Sequence, residues 1–242
     1  MGHGTPDWWG GAPKSTTYAL GDMAELAARL GSIDTFDRRG DVVFLDSFDH
    51  GLCGWTADEG DTGAVYPVCH PVRSKGLSLE LMAGDLALDW VDVKRTFPFP
   101  ALGGIGGEIS FMVAAYLKYL TLQLVFMDGT NYYSCQVRYD HALGKVYVYT
   151  DPTTWTEVGS PGVLSEAVTT FHTMKLVVDT LANKYVRLLV DNHTYSIGAH
   201  TPDYGLDATT PQVTLLVMVT CASANFTYLN LDDVILTQNE PS

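Results

Sequence analysis

The sequence is poor in positive charge. Fourteen Lys and Arg stand against twenty-eight Asp and Glu, a formal net charge of -14 over 242 residues. A phosphate backbone or an anionic bilayer would be repelled over most of such a surface, so neither nucleic acid nor membrane is an expected partner. An acidic surface also keeps a protein dispersed, and needs no partner to explain it. Long apolar runs are missing too: nothing approaches the roughly 18 residues of a membrane helix. The start, Met1-Gly2-His3-Gly4-Thr5-Pro6, has no basic segment followed by an apolar one, so no signal peptide is expected, and Pro6 spoils an acylation signal. The four cysteines, Cys53, Cys69, Cys135 and Cys221, form no C-x-x-C and no His/Cys cluster. That removes the usual zinc and redox signatures; buried free thiols are expected, with a Cys53–Cys69 bridge in the Gly-rich early loops left open.

Catalytic signatures are equally scarce. There is no Gly-x-Ser-x-Gly elbow, and the seven histidines and the cysteines show no spacing that pairs a nucleophile with a base. His172 and His193 fall in strand-like segments and read as structural. The seven glutamates are dispersed, with Glu80 and Glu108 alone inside strand-like segments. Asp89 and Asp92 are three apart, which in a strand puts them on opposite faces, where they read as rim charges. The chain is therefore expected not to be an enzyme, and to carry no cofactor and no metal. Asp is three times commoner than Glu, and Asp46, Asp49, Asp232 and Asp233 are the side chains to inspect for calcium, but no stretch has a dense ligand loop.

What the sequence does have is apolar material and alternation. Hydrophobic residues make up 46% and charged residues 17%, enough for a sizeable core. The length suits one β-domain with a short appendage. From Val42 onward, apolar residues recur every second position in short runs bounded by Gly, Pro, Asn and Asp. The pattern predicts strands at Val42–Phe48, Leu77–Met82, Leu86–Val93, Glu108–Val113, Tyr119–Phe126, Tyr132–Arg138, Lys145–Thr150, Thr173–Asp179, Tyr185–Val190, Thr194–Ile197, Val213–Thr220 and Tyr228–Leu236. Asp128-Gly129, His141 to Gly144 and Asp191-Asn192 have the chemistry of tight reversals. In Lys145–Thr150 the valines point inward while Lys145, Tyr147 and Tyr149 share the other face.

Residues 1–41 read differently, as an arm preceding a β-domain at 42–242. They hold one predicted helix, Asp22 to Leu30, with Asp22 as cap, Glu25 completing a capping box and Gly31 as stop. Met23, Leu26, Ala27 and Leu30 form an apolar stripe too short to stand alone in water. The stripe is expected to pack either on the chain's own sandwich or on a neighbouring subunit; in the second case Trp8, Trp9, Tyr18, Met23, Leu26 and Leu30 are the expected partner-binding residues of a homo-oligomer.

Three segments together resemble the concanavalin A-like, laminin-G-like superfamily. Leu45-Asp46-Ser47-Phe48-Asp49-His50-Gly51-Leu52-Cys53-Gly54-Trp55 resembles its opening strand and turn. Phe171 to Asp179 followed by Tyr185 to Asp191 resembles its central hairpin, and Leu229-Asn230-Leu231-Asp232-Asp233-Val234-Ile235-Leu236 its closing strand, which in the family pairs near the first. The resemblance covers about Leu45 to Thr237 and implies an all-β fold, an antiparallel two-sheet jelly-roll sandwich, here with a short N-terminal arm containing one helix. It specifies little about function, since the scaffold hosts lectins, hydrolases, adhesion modules and virion proteins. The family's hydrolase motif, Glu-x-Asp-x-x-Glu, is absent.

An acidic sandwich behind an apolar arm also looks like a tailed-phage structural protein. The leading expectation is accordingly a non-enzymatic virion component, a capsid decoration or tail-associated protein assembled in the host cytoplasm and contacting other virion proteins through the arm. The alternative is a carbohydrate-binding module or lectin-like domain, with Tyr132, Tyr133, Tyr147, Tyr149 and Trp155 as the aromatic platform for a glycan. The same tyrosines would also stabilise a sheet merely as cross-strand pairs. An adhesion or filament subunit is a third expectation.

Overall fold

Alternation sorts the side chains of the longest strands into two sets. In β7 (Leu117–Met127), Leu120, Leu122, Leu124 and Phe126 are buried in the core while Tyr119, Gln123 and Val125 remain half-exposed on the other face. The computed structural model describes residues 39–73, 76–84, 86–98, 103–151, 154–168, 170–222 and 226–241. The helix predicted at Asp22–Leu30 lies outside the described residues, as do Trp8, Trp9, Tyr18, Met23, Leu26 and Leu30.

The remaining strands, in chain order, are β1 (Asp41–Asp46), β2 (Thr56–Asp58), β3 (Ala64–Val68), β4 (Ser78–Ala83), β5 (Trp90–Pro98), β6 (Gly104–Val113), β8 (Asn131–Asp140), β9 (Lys145–Asp151), β10 (Thr154–Gly159), β11 (His172–Asp179), β12 (Lys184–Val190), β13 (His193–Ser196), β14 (Asp203–Leu206), β15 (Gln212–Cys221) and β16 (Thr227–Gln238). They form two antiparallel eight-stranded sheets. Sheet I runs β13-β12-β11-β6-β16-β4-β3, with β1 beside β16; sheet II runs β10-β9-β8-β7-β15-β5-β2, with β14 beside β8. Between them lies one apolar core of Val, Leu, Ile and Phe from both inner faces. The chain is thus a two-sheet jelly-roll sandwich, and its closing strand pairs with its first, Phe44 opposite Leu236.

The predicted strands are present with shifted ends, and one is displaced. Leu86–Val93 was the expected run; Leu86 to Leu88 instead lie in a turn with Leu88 at φ 70°, and β5 runs from Trp90 to Pro98. β2, β3, β10 and β14 were not predicted. They are short edge or near-edge strands, only half covered, so no full apolar period marks them. The three expected reversals join β7 to β8, β8 to β9 and β12 to β13. In the first, the Asp128 carboxylate accepts the N–H groups of Thr130 (2.8 Å) and Asn131 (2.7 Å). All four cysteines are free, so the Cys53–Cys69 bridge is not made; both lie on the surface.

Two features tie the sheets together. Tyr185 of β12 crosses the core and places its hydroxyl between β8 and β9, accepting the Gln136 N–H at 2.8 Å and donating to the Tyr149 carbonyl at 2.8 Å. Strand pairing of β8 with β9 covers Val137 to Asp140, and β14 takes the same edge from Asn131 to Ser134. The hydroxyl therefore fills the fork where β9 leaves and β14 arrives.

The second tie is the connection from β10 to β11, held at its middle by two histidines. His141 Nε2 meets Glu166 Oε1 at 2.8 Å, and His172 sits between Asp191 (Nδ1 to Oδ2, 2.7 Å) and the Ser165 carbonyl (3.2 Å). Burial disfavours the His172 cation, but the hydrogen bond and charge of Asp191, with the Ser165 carbonyl, outweigh it and raise its pKa. A raised folded pKa gives stability that is full below the unfolded value of about 6.5 and is lost as pH rises through the folded one. Replacing His172 with Gln is expected to destabilise the protein more at pH 5.5 than at pH 8.5 in urea titrations; an equal loss at both would remove the histidine from the pH dependence.

Candidate functional site

The outward face of sheet II is where polar and aromatic side chains converge. Because Val91, Val93, Val217, Val219, Leu120, Leu122, Val137, Val146 and Val148 fill the core, the alternate residues of the same strands face out. The register aligns them in rows across the strands. One row reads Asp58, Asp92, Met218, Thr121, Arg138, Tyr147, Glu157, from β2 through β5, β15, β7, β8 and β9 to β10. The adjacent row reads Thr56, Lys94, Leu216, Gln123, Gln136 and then, beyond the Tyr185 hydroxyl, Tyr149 and Trp155.

Burial along the first row is unusual for an outward face. Asp92 is 6% exposed and Thr121 1%, while Arg138 and Tyr147 are half-buried. Asp92 Oδ1, Thr121 Oγ1 and Arg138 Nε are buried without a hydrogen-bond partner among the described residues. Buried polar atoms are nearly always paired, so three orphans along one row mark a place that has donors and acceptors to offer. Burial pushes the Asp92 carboxyl up to about 6; Lys94 opposes the shift and the facing charge of Asp58 adds to it.

The aromatic residues gather at the β9–β10 end. Tyr149 and Trp155 rings lie 5.0 Å apart and tilted by 48°. The Arg138 guanidinium sits 3.7 Å from the Trp155 ring centre and 4.2 Å from that of Tyr119, in cation–π contact with both. At the rim, Lys145 donates to Glu157 at 2.7 Å. Aromatic faces, a guanidinium, a carboxyl group, a hydroxyl and the amides of Gln123 and Gln136 on one surface are the groups that hold polyhydroxylated ligands, with rings against C–H faces and the rest against hydroxyls.

Of the expected platform, the structure brings Tyr147, Tyr149 and Trp155 together and separates the other two. Tyr132 shares the outward face but lies further along β8, opposite Met127, its ring over Gly205 and its hydroxyl 3.5 Å from Asp203. Tyr133, its neighbour, must face inward, and it stacks on Phe126 at 4.8 Å. The expectation for Trp155 also changes, because one side of its ring is occupied by Arg138. Asp89 and Asp92 are not rim charges: both are buried, and Asp89 accepts the N–H groups of Asp61, Thr62 and Trp90 to fasten the β2–β3 turn.

Sequence reasoning passed over Arg138 and Thr121. The signal was present in part: the His141–Gly144 reversal fixes the β8–β9 register and sets Arg138 opposite Tyr147. The aspartates inspected for calcium are occupied by protein donors. Asp46 accepts the Phe48 N–H and the Trp55 indole N–H, each at 2.9 Å, and Asp232 accepts the Arg73 N–H at 2.8 Å.

No protein-family model matches the chain, and no curated protein sequence does. Solved structures do. An endo-β-1,4-glucuronan lyase from the fungus Trichoderma reesei superposes with a TM-score of 0.59 at 13% identity, over 81% of this chain and 95% of the lyase. A carbohydrate esterase from the Shiga toxin-encoding bacteriophage phi24B gives 0.53 at 13% identity, over 81% and 97%. The potassium-bound carbohydrate recognition domain of Emp46p gives 0.50 at 13% identity, over 79% and 92%. A sialidase is matched over 83% of this chain but 19% of its own length. At such identities the likeness is one of architecture: the described body shares the two-sheet β-sandwich fold of these structures.

Proposed function

We propose that the protein binds a glycan chain across the outward face of sheet II. The observation that carries this reading is the row Asp92, Thr121, Arg138, with its three buried polar atoms left without partners beside Tyr147, Tyr149 and Trp155. Adjacent strands are about 4.8 Å apart, a spacing similar to that of successive sugars in an extended chain, so consecutive residues of a glycan would meet consecutive side chains of the row. The sandwich neighbours that carry carbohydrate recognition or carbohydrate chemistry support the same reading. It takes precedence over the virion role, whose arm residues lie outside the described part of the chain.

The test is a glycan array followed by calorimetric titration of the best ligand. Trp155→Ala and Tyr147→Ala are each expected to weaken binding about tenfold or more, the scale of one lost aromatic or hydrogen-bonded contact. Tyr204→Ala serves as control: this tyrosine is 66% exposed on β14, away from the row, and its loss is expected to leave affinity unchanged. Equal effects of all three would mean sticky aromatic surface rather than a site.

A second reading, cleavage of the bound glycan, is favoured by one observation: Asp92 has the raised pKa of a proton donor and stands opposite Asp58. Release of new reducing or unsaturated ends from the array ligand, abolished in Asp92→Asn, would convert the binding face into an active site.

A further inference from the structure

Arg138 differs from the other cations whose pairing the structure gives. Lys145 pairs with Glu157, Arg95 with Asp46, Arg73 with Asp233, and Lys175 and Arg187 both with Glu240. No carboxylate lies within ion-pair distance of Arg138 among the described residues, although the chain has two acidic side chains for every basic one. Asp140, whose charge reaches Arg138, is committed elsewhere, accepting the Leu143 N–H at 3.1 Å. The guanidinium is gripped by Tyr119 and Trp155 at 4.2 and 3.7 Å, and its Nε is buried without a partner. Rings on the guanidinium leave its edge as the part that can bond, and that edge is a planar fork of N–H donors matched to two oxygens of a carboxylate. Burial lowers the Arg138 pKa, as it does for a cation lacking water, while the nearby Tyr119, Asp140 and Tyr149 raise it.

We infer that the glycan bound on this face is an acidic one, a polyuronate, whose carboxylate is received by Arg138. This rests on the glycan-binding reading and adds the substrate class to it. Asp92 does not oppose it, because three inter-strand steps of about 4.8 Å separate the two positions along the row. A sugar over Arg138 and a sugar over Asp92 are different residues of the chain, the first held by its carboxylate and the second by its hydroxyls.

The experiment compares the full-length protein's affinity for β-1,4-linked polyglucuronate with that for the same polymer after chemical reduction of its carboxyl groups, with dextran sulfate as a further probe. The expected result is at least about tenfold tighter binding of the acidic polymer than of the reduced one, a preference that shrinks as salt rises and disappears in Arg138→Gln. Lys184→Gln, the same change of charge at an exposed position of β12 on sheet I, is expected to keep the preference, and a thermal melt of each variant establishes that it is folded. If Arg138→Gln does not fold, Arg138→Lys, which keeps the charge but loses the fork, is expected to lose most of the preference. Equal affinity for both polymers, tighter binding of dextran sulfate than of polyglucuronate, or a preference that survives in Arg138→Gln would overturn the inference and leave glycan binding standing. Binding of no polymer, together with a blank array, would overturn both.

Discussion

Replacing Asp92 with Asn is expected to stabilise the protein at pH 7.5 by about 2 kcal/mol and, at the same pH, to weaken its hold on a glycan by about tenfold. The stability half follows from the carboxyl being pushed from an ordinary 3.8 to about 6 by burial. A shift of some two units corresponds to roughly 3 kcal/mol, discounted to about 2 for screening of the charge by solvent beside this outward face. The sign is fixed by the protonated form being the one the fold prefers. The native state binds the proton more tightly than the unfolded chain, so this group's contribution is fully favourable below about pH 4 and is lost as pH rises through 6. Asn imitates the protonated carboxyl at every pH. Thermal melts of the two proteins should therefore agree near pH 4 and diverge by roughly 4 to 8 °C at pH 7.5, with the variant higher. The binding half follows from Asp92 Oδ1 having no protein partner to lose; an ionised acceptor facing a sugar hydroxyl is stronger than an amide by about 1 to 2 kcal/mol. A residue that costs stability where it stands and strengthens ligand binding is the signature of a functional position. If the variant were less stable at every pH, Asp92 would be a structural residue and the row would lose its strongest member.

Replacing Glu240 with Ala is expected to destabilise the sandwich by about 3 to 5 kcal/mol without changing glycan affinity, since it removes a buried carboxylate that serves two cations on the opposite sheet. Glu240 is fully covered at its side chain; Oε1 accepts from Lys175 Nζ at 2.7 Å and from Thr237 Oγ1 at 2.6 Å, and Oε2 accepts from Arg187. Its backbone N–H donates to the Gly104 carbonyl at 3.1 Å, holding the segment after β16 across β6. Glycines make the space. A Cβ at Gly40 or Gly106 would come within 2.5 or 2.9 Å of Glu240 Oε1. Lys175 also meets Glu108 at 3.6 Å, so the cluster is a network and loss of its most shared acid is felt by every member. Guanidinium titrations of Glu240→Ala should show a midpoint lowered at unchanged slope. A loss under 1 kcal/mol would mean that the cluster is rebuilt without it. Because Glu240 and the glycan row sit on different sheets, a fall in affinity of the folded variant would contradict the separation of stability from recognition.

Much of this architecture was legible in the residues, and the site only in part. Two-residue alternation marked twelve strands, most plainly those such as β7, β8 and β15 that bury a full apolar face, and Asp128, Gly144 and Asp191 marked the reversals between neighbours. The edge strands escaped because they bury too little: β10, which carries Trp155, reads Thr-Trp-Thr-Glu-Val-Gly and has no clean period. Tyr132 and Tyr133 could have been separated from the start, since consecutive strand residues face opposite ways, yet composition alone grouped them. Asp92 was misread for a different reason. Its burial depends on β2 and β15, which lie 34 residues before and well over 100 residues after it, and on the contour of a sheet whose order is not a local property. Arg138 needed the same information, because its contact with Trp155 exists only once β8, β9 and β10 stand side by side.

The most direct test is a crystal structure of the protein soaked with the oligosaccharide that binds best on the array. The sugar chain is expected to cross the strands of sheet II, with one residue within hydrogen-bond reach of Arg138 and another of Asp92. A ligand seated in the loops at the sandwich ends or on sheet I, at an affinity that survives Trp155→Ala, would contradict the assignment.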